Sequence, residues 1–147
     1  MSGGDSIGRV VDLSSLDKRK IDLIKKAAEA REFAYSPYSN FKVGCALVTK
    51  KGDVYTGCNV ENASYGVGIC AERTAIVKAV SSGDRDIVEI AVVAEMTNQI
   101  TAPCGACRQF INEFSVNNDI LIYCADAAMK KVLNTTNSQL LPWGFRL

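Results

Sequence analysis

The sequence predicts an α/β protein of three layers, α/β/α, built on a mixed sheet of about five strands. Three observations carry this. Amphipathic helical stretches alternate with short apolar runs along most of the chain, two of those runs are apolar almost without interruption, and one pair of strand-like segments is joined by a tight turn. Residues 1–14 are small and polar apart from Val10-Val11 and read as a flexible N-terminal arm. Residues 15–147 read as a single domain, a usual size for one core.

The elements follow in order. Over residues 15–35, Leu16, Ile21, Ile24, Ala27, Ala28 and Phe33 recur near helical spacing behind a serine cap, which gives a first helix. Residues 41–49 and 53–60 read as strands joined by Lys50-Lys51-Gly52, hence a hairpin. Residues 70–80 carry apolar side chains at three-to-four spacing and stop at Ser81-Ser82-Gly83, a good helix ending. Residues 87–94 are nearly all apolar, as expected of a central strand covered on both faces. Residues 104–114 form a third helix and 120–125 another buried strand, with a short strand or helix at 127–133. Helices between successive strands imply parallel neighbours, with the helix starts at the carboxyl ends of the strands, where open α/β sheets place ligands.

Composition narrows the function classes. A net charge of +1 offers no polybasic surface for a nucleic-acid backbone. No apolar run approaches the roughly 18 residues of a membrane span, and the start lacks the basic and apolar regions of a signal peptide. A small-molecule substrate and a cytoplasmic location are expected. Six cysteines without an export signal favour thiols or metal over a disulfide framework.

The chemistry is carried by Cys70-Ala71-Glu72 and Pro103-Cys104-Gly105-Ala106-Cys107, in a chain with no histidine. One Cys-x-x-Cys pair and one distant cysteine give three ligands, as in a catalytic zinc site with its fourth position open. Glu72, two residues past Cys70, is left free to move protons. Spacing alone says zinc hydrolase. A rival reading adds Cys58 to Cys70, Cys104 and Cys107 as a closed cage, which would make the zinc structural and the protein a non-enzymatic binding module. Cys45 and Cys124 sit in strand-like runs and read as small buried hydrophobes. Three thiolates give Zn²⁺ a net negative charge. Two helix N-termini at Cys70 and Cys104, with Arg73 bonding ligand sulfur from a second layer, would offset it.

Four motifs, in order, resemble those of the small, homotetrameric, zinc-dependent cytidine deaminases that act on free nucleosides. They are Ser36-Pro37-Tyr38-Ser39-Asn40-Phe41-Lys42-Val43-Gly44, Gly57-Cys58-Asn59-Val60-Glu61-Asn62-Ala63-Ser64-Tyr65, Cys70-Ala71-Glu72-Arg73-Thr74-Ala75 and Pro103-Cys104-Gly105-Ala106-Cys107-Arg108-Gln109. The likeness runs from about residue 35 to 145. Deaminases of deoxycytidylate, free cytosine and nucleic-acid bases typically use His-x-Glu where this chain has Cys-Ala-Glu. Gly66 stands where many relatives have proline.

The resemblance implies the cytidine deaminase-like fold, one Zn²⁺ per subunit, and hydrolysis of cytidine and 2′-deoxycytidine to the uridines in pyrimidine salvage. It implies Cys70, Cys104 and Cys107 as ligands. Glu72 is then the proton shuttle for a zinc-bound hydroxide that attacks carbon 4. It further implies Phe41 against the pyrimidine, Asn59 and Glu61 on the ribose 3′-hydroxyl, and the Ala71 N–H on the 2-oxygen. The resemblance also implies a homotetramer in which Tyr65 and Phe145, matching family positions at subunit contacts, close a neighbour's site; packing on the chain's own body is the other reading of these two aromatics. An alternative within the same pattern is a deaminase of a cytosine nucleoside antibiotic of the blasticidin type.

Overall fold

A computed structural model describes residues 7–95 and 99–147. Six strands form one mixed sheet: β1 (Arg9–Asp12), β2 (Val43–Thr49), β3 (Val54–Cys58), β4 (Ile87–Ala94), β5 (Leu121–Asp126) and β6 (Lys131–Thr136), in the order β1-β6-β5-β4-β2-β3. The helices are α1 (Lys18–Arg31), α2 (Ala71–Ser81), α3 (Gly105–Asn112) and the single turn α4 (Asn137–Leu140). No helix among the described residues is long and apolar enough to cross a membrane.

Alternation along the central strands sorts the core into two faces. Cys45 and Leu47 of β2, Ile90 and Val92 of β4, and Ile122 and Cys124 of β5 pack with Ala75 and Ile76 of α2 and Ile111 of α3. Their neighbours Ala46, Ala91, Val93, Tyr123 and Ala125 pack with Leu23, Ile24 and Ala27 of α1. The three layers expected from the sequence are present.

Five details differ from expectation. The stretch assigned to a loose arm contributes edge strand β1, paired with β6 from Arg9 opposite Asn134 to Asp12 opposite Lys131; residues 1–6 lie outside the described residues. Its side chains are mostly exposed, so no apolar alternation marked it. The sheet therefore has six strands rather than five. Only β4 and β5 are parallel neighbours: α2 joins the parallel strands β3 and β4, but β2 lies between them, antiparallel to both. The helix cap is Asp17, whose carboxylate accepts from Lys20 N at 3.0 Å, and Phe33 falls beyond α1 and is exposed.

Two glycines let helices lie directly on the sheet. A Cβ at Gly44 would stand 2.0 Å from the Ala27 carbonyl oxygen in α1, and one at Gly57 would stand 2.5 Å from the Ala75 nitrogen and 2.7 Å from the Ala71 oxygen in α2. The second contact seats the start of α2 at the carboxyl end of β3. Since β3 and β4 run the same way, α2 and α3 both begin at one edge of the sheet.

Candidate active site

Cys70 and Cys104 are the N-cap residues of α2 and α3, both in extended backbone, and neither helix start has a side-chain cap. The free N–H groups and positive ends of both helices therefore lie beside the two thiols, which favours thiolate. Cys107, one turn into α3, is buried. The Sγ atoms of Cys70, Cys104 and Cys107 all lie within 4.8 Å of one another, and those of Cys70 and Cys104 are 4.0 Å apart. Tetrahedral zinc with Zn–S bonds of about 2.3 Å requires sulfurs roughly 3.8 Å apart, so the donor set fits that ion with little movement. Cys58 is not in this cluster, and Cys45 and Cys124 are buried, their thiols pushed up by burial, Cys124 to about 12. Among the described residues the cluster has three thiols and no fourth protein ligand, which removes the closed cage.

Electrostatics around the thiols is graded. The hydrogen bond from Cys107, followed by those from Arg73 and Cys104, brings Cys70 down to about 5. Arg73 Nη2 donates to Cys70 Sγ at 3.6 Å. Cys107 is pushed up, first by the hydrogen bond it gives Cys70 and then by burial, and its Sγ lies 3.6 Å from Glu72 Oε2. Burial raises the Glu72 carboxyl, which is only 5% exposed. A carboxyl held above its ordinary range and set beside three thiols is placed to accept and return a proton.

A cavity of about 210 Å³ opens onto this group, lined by Phe41, Asn59, Cys70, Ala71, Glu72 and Cys104 among others. The cleft also includes Val43, Val92, Thr101 and Ala102, which the sequence reading missed. Thr101 and Ala102 directly precede Pro103, and that adjacency was the available signal. Ala71 opens α2, so its N–H has no partner within the helix.

Glu61 and Tyr65 line an adjoining cavity of about 290 Å³ together with Tyr38 and Ser39. Asn59 and Glu61 both clamp the loop that carries Phe41. Asn59 Oδ1 accepts from Val43 N at 2.9 Å and its Nδ2 donates to the Phe41 carbonyl at 2.8 Å. Glu61 accepts from Tyr38 N at 3.0 Å, from Ser39 N at 3.1 Å and from the Ser39 hydroxyl, which in turn accepts from Phe41 N at 3.0 Å. Asn40, between them, takes a φ of 56°, a left-handed conformation that asparagine tolerates. Phe145 lies outside both cavities, two-thirds exposed, its carbonyl accepting from Gln109 and Asn112 of α3.

The clamp gives a pH prediction. The hydroxyl of Ser39 holds the Glu61 carboxyl below its ordinary value. A depressed carboxyl stabilises the folded loop above the unfolded pKa of about 4.3 and loses that contribution as pH falls through the lower folded value. Divided by the intrinsic rate, which itself falls as pH is lowered, amide protection at Tyr38 and Ser39 is therefore expected to hold at pH 5 and to drop only below about pH 4.3. Loss of protection already at pH 6 would show that the carboxylate does not hold the loop.

The family profile described as the cytidine and deoxycytidylate deaminase zinc-binding region matches residues 17–124. A protein named cytidine deaminase from Halalkalibacterium halodurans is 51% identical over 123 residues, 84% of this chain and 91% of its own length. The crystal structure of cytidine deaminase from Burkholderia pseudomallei aligns with a TM-score of 0.80 at 47% identity, over 88% of this chain and all of that one. Blasticidin-S deaminase of Bacillus cereus is more distant, 27% identical over 135 residues, 87% of this chain and 93% of its own length.

Proposed function

Because this chain belongs to the cytidine and deoxycytidylate deaminase zinc-binding family, we propose that it hydrolyses cytidine and 2′-deoxycytidine to uridine, 2′-deoxyuridine and ammonia. The observation that carries the reading is the buried Glu72 carboxyl set against three convergent thiols, with Glu72, Cys70 and Cys104 lining the cleft. Cys70, Cys104 and Cys107 would hold one zinc, which would act as a Lewis acid and lower the pKa of water towards about 7.

The chain's own residues do the rest. Glu72, its carboxyl raised by burial, takes a proton from the attacking water and delivers it to ring nitrogen 3 as the carbon 4–oxygen bond forms; it then moves the proton of the new hydroxyl to the amino group, which leaves carbon 4 as ammonia while that oxygen becomes the carbonyl. The Ala71 N–H binds the 2-oxygen, and Phe41 packs on the pyrimidine across the cleft. Asn59 and Glu61 reach the ribose 3′-hydroxyl, and a carboxylate at 61 repels a phosphate, favouring nucleoside over nucleotide. Arg73 is the counter-charge to the thiolates. Arg73→Gln is expected to keep the fold and lower turnover and zinc retention together about tenfold; unchanged zinc content and activity would return Arg73 to the role of a surface charge.

Tyr65, Trp143 and Phe145 are among the most exposed large apolar side chains. Their exposure supports a homotetramer in which Tyr65 and Phe145 meet neighbouring subunits' sites. A fully active monomer in sedimentation would sink that arrangement. Six free cysteines fit a reducing cytoplasm and a place in pyrimidine salvage. Zinc stoichiometry with an ultraviolet assay on cytidine, deoxycytidine, cytidine monophosphate and blasticidin S tests the whole reading. One zinc per chain with turnover of the two nucleosides is expected; turnover of blasticidin S alone, or zinc without any turnover, would overturn it.

A further inference from the structure

Helix α3 supplies two of the three thiols in its first turn, yet its N-terminus has no side-chain cap, and residues 99–103 leading into it belong to no helix or strand. The carbonyl just before Cys104 is held from within the helix. Arg108 Nε donates to the Pro103 carbonyl at 2.7 Å, while Nη1 of the same guanidinium donates to the Leu140 carbonyl at 2.9 Å, at the end of α4. Beyond α4 the chain returns to the same helix. The Phe145 carbonyl accepts from Gln109 Nε2 and Asn112 Nδ2, both at 3.1 Å. Arg146 Nε donates to the Asn112 carbonyl at 2.7 Å, and its Nη2 to Asn112 Oδ1 at 3.0 Å and the Ser115 carbonyl at 3.1 Å.

We propose that Arg108 is a positioning residue that makes the C-terminal tail a brace for the Cys104–Cys107 turn, and so sets how tightly the site keeps its metal. Its planar fork has donors at fixed angles, so bonds to two carbonyls from separate segments fix those segments relative to each other. A lysine ammonium, a point charge on a flexible stem, does not impose that angle. The Pro103–Cys104 peptide carries the effect to Sγ; groups that hydrogen bond a ligand directly change affinity about 10–100-fold when removed, and the brace, acting through one more residue, is placed at the low end of that range. The proposal rests on the zinc reading given above.

The test compares full-length, zinc-loaded wild type, Arg108→Gln, Arg108→Lys, Arg146→Ala and Val132→Ala. Val132 lies in the core under α1, away from the thiols, so its truncation lowers stability without touching the brace. Zinc transfer to an excess of chromophoric chelator is timed, and thermal midpoints are recorded in parallel. Arg108→Gln is expected to release zinc at least about tenfold faster, with Arg108→Lys and Arg146→Ala between it and wild type, and Val132→Ala at the wild-type rate despite a lower midpoint. Should Arg108→Gln fail to fold, Arg108→Lys and Arg146→Ala carry the comparison. Wild-type release rates in the Arg108 and Arg146 variants, or equal acceleration by Val132→Ala at the same loss of midpoint, would overturn the proposal. A wild-type chain that binds no zinc would instead bring down the zinc reading itself, and the brace with it.

Discussion

Replacing Glu72 with glutamine is expected to leave one zinc per chain and to lower cytidine turnover by at least about 10³-fold, within the range that a positioned acid–base group supplies. The amide fills the same volume in a position only 5% exposed, so the ligands and the cleft are retained. It has no carboxylate with which to accept a proton. The pH profile gives a second reading. Burial raises the wild-type carboxyl above its usual value, and the base form is lost as pH falls through that raised pKa. The acid limb of the wild-type profile should therefore lie above about 4.3 and vanish from the residual activity of the variant. A buried carboxylate is also a cost to the fold, so at neutral pH the zinc-free variant should melt no lower than zinc-free wild type. Turnover within tenfold of wild type, with zinc retained, would remove Glu72 from the chemistry.

The parts of the molecule that form the candidate site are largely legible in the sequence. α2 and α3 start within one residue of where periodicity and the two cysteine motifs put them, because a helix start is marked by local residues. The strand Ile87–Ala94 was read to its ends because burial on both faces leaves an unbroken apolar run. What escaped depends on distant partners. β1 is a four-residue edge strand with exposed side chains, and β6 ends in Asn134-Thr135-Thr136, which resembles a turn until β5 is seen beside it. The separation of β3 from β4 by β2 is likewise a property of pairing, not of composition. At the site, the three thiols and Glu72 were readable from spacing. The Glu61–Ser39–Phe41 relay was not, since it links residues 22 apart through hydrogen bonds that no periodicity records.

Gly57 lies against the start of α2, and its substitution separates folding from site geometry. In Gly57→Ala the new Cβ meets the Ala75 nitrogen at 2.5 Å and the Ala71 oxygen at 2.7 Å, both backbone atoms that no side-chain rotation relieves. Helix α2 must move off β3, and the expected loss is about 3 kcal/mol, the upper part of the range for overpacking. The same displacement carries Cys70, Ala71 and Glu72, which stand at the very start of α2. A shift of about 1 Å in positioned groups costs on the order of 10² in rate, so kcat per folded molecule should fall by about that factor. Gly44→Ala is the control: its Cβ would lie 2.0 Å from the Ala27 oxygen and displaces α1, on the opposite face, which carries none of the thiols or Glu72. It should destabilise at least as much, yet leave kcat of the folded fraction within a few-fold. Chemical denaturation gives the two stabilities, and active-site titration by zinc content normalises the two rates. Equal loss of kcat in both variants would mean that the seat of α2 on β3 has no special hold on the site.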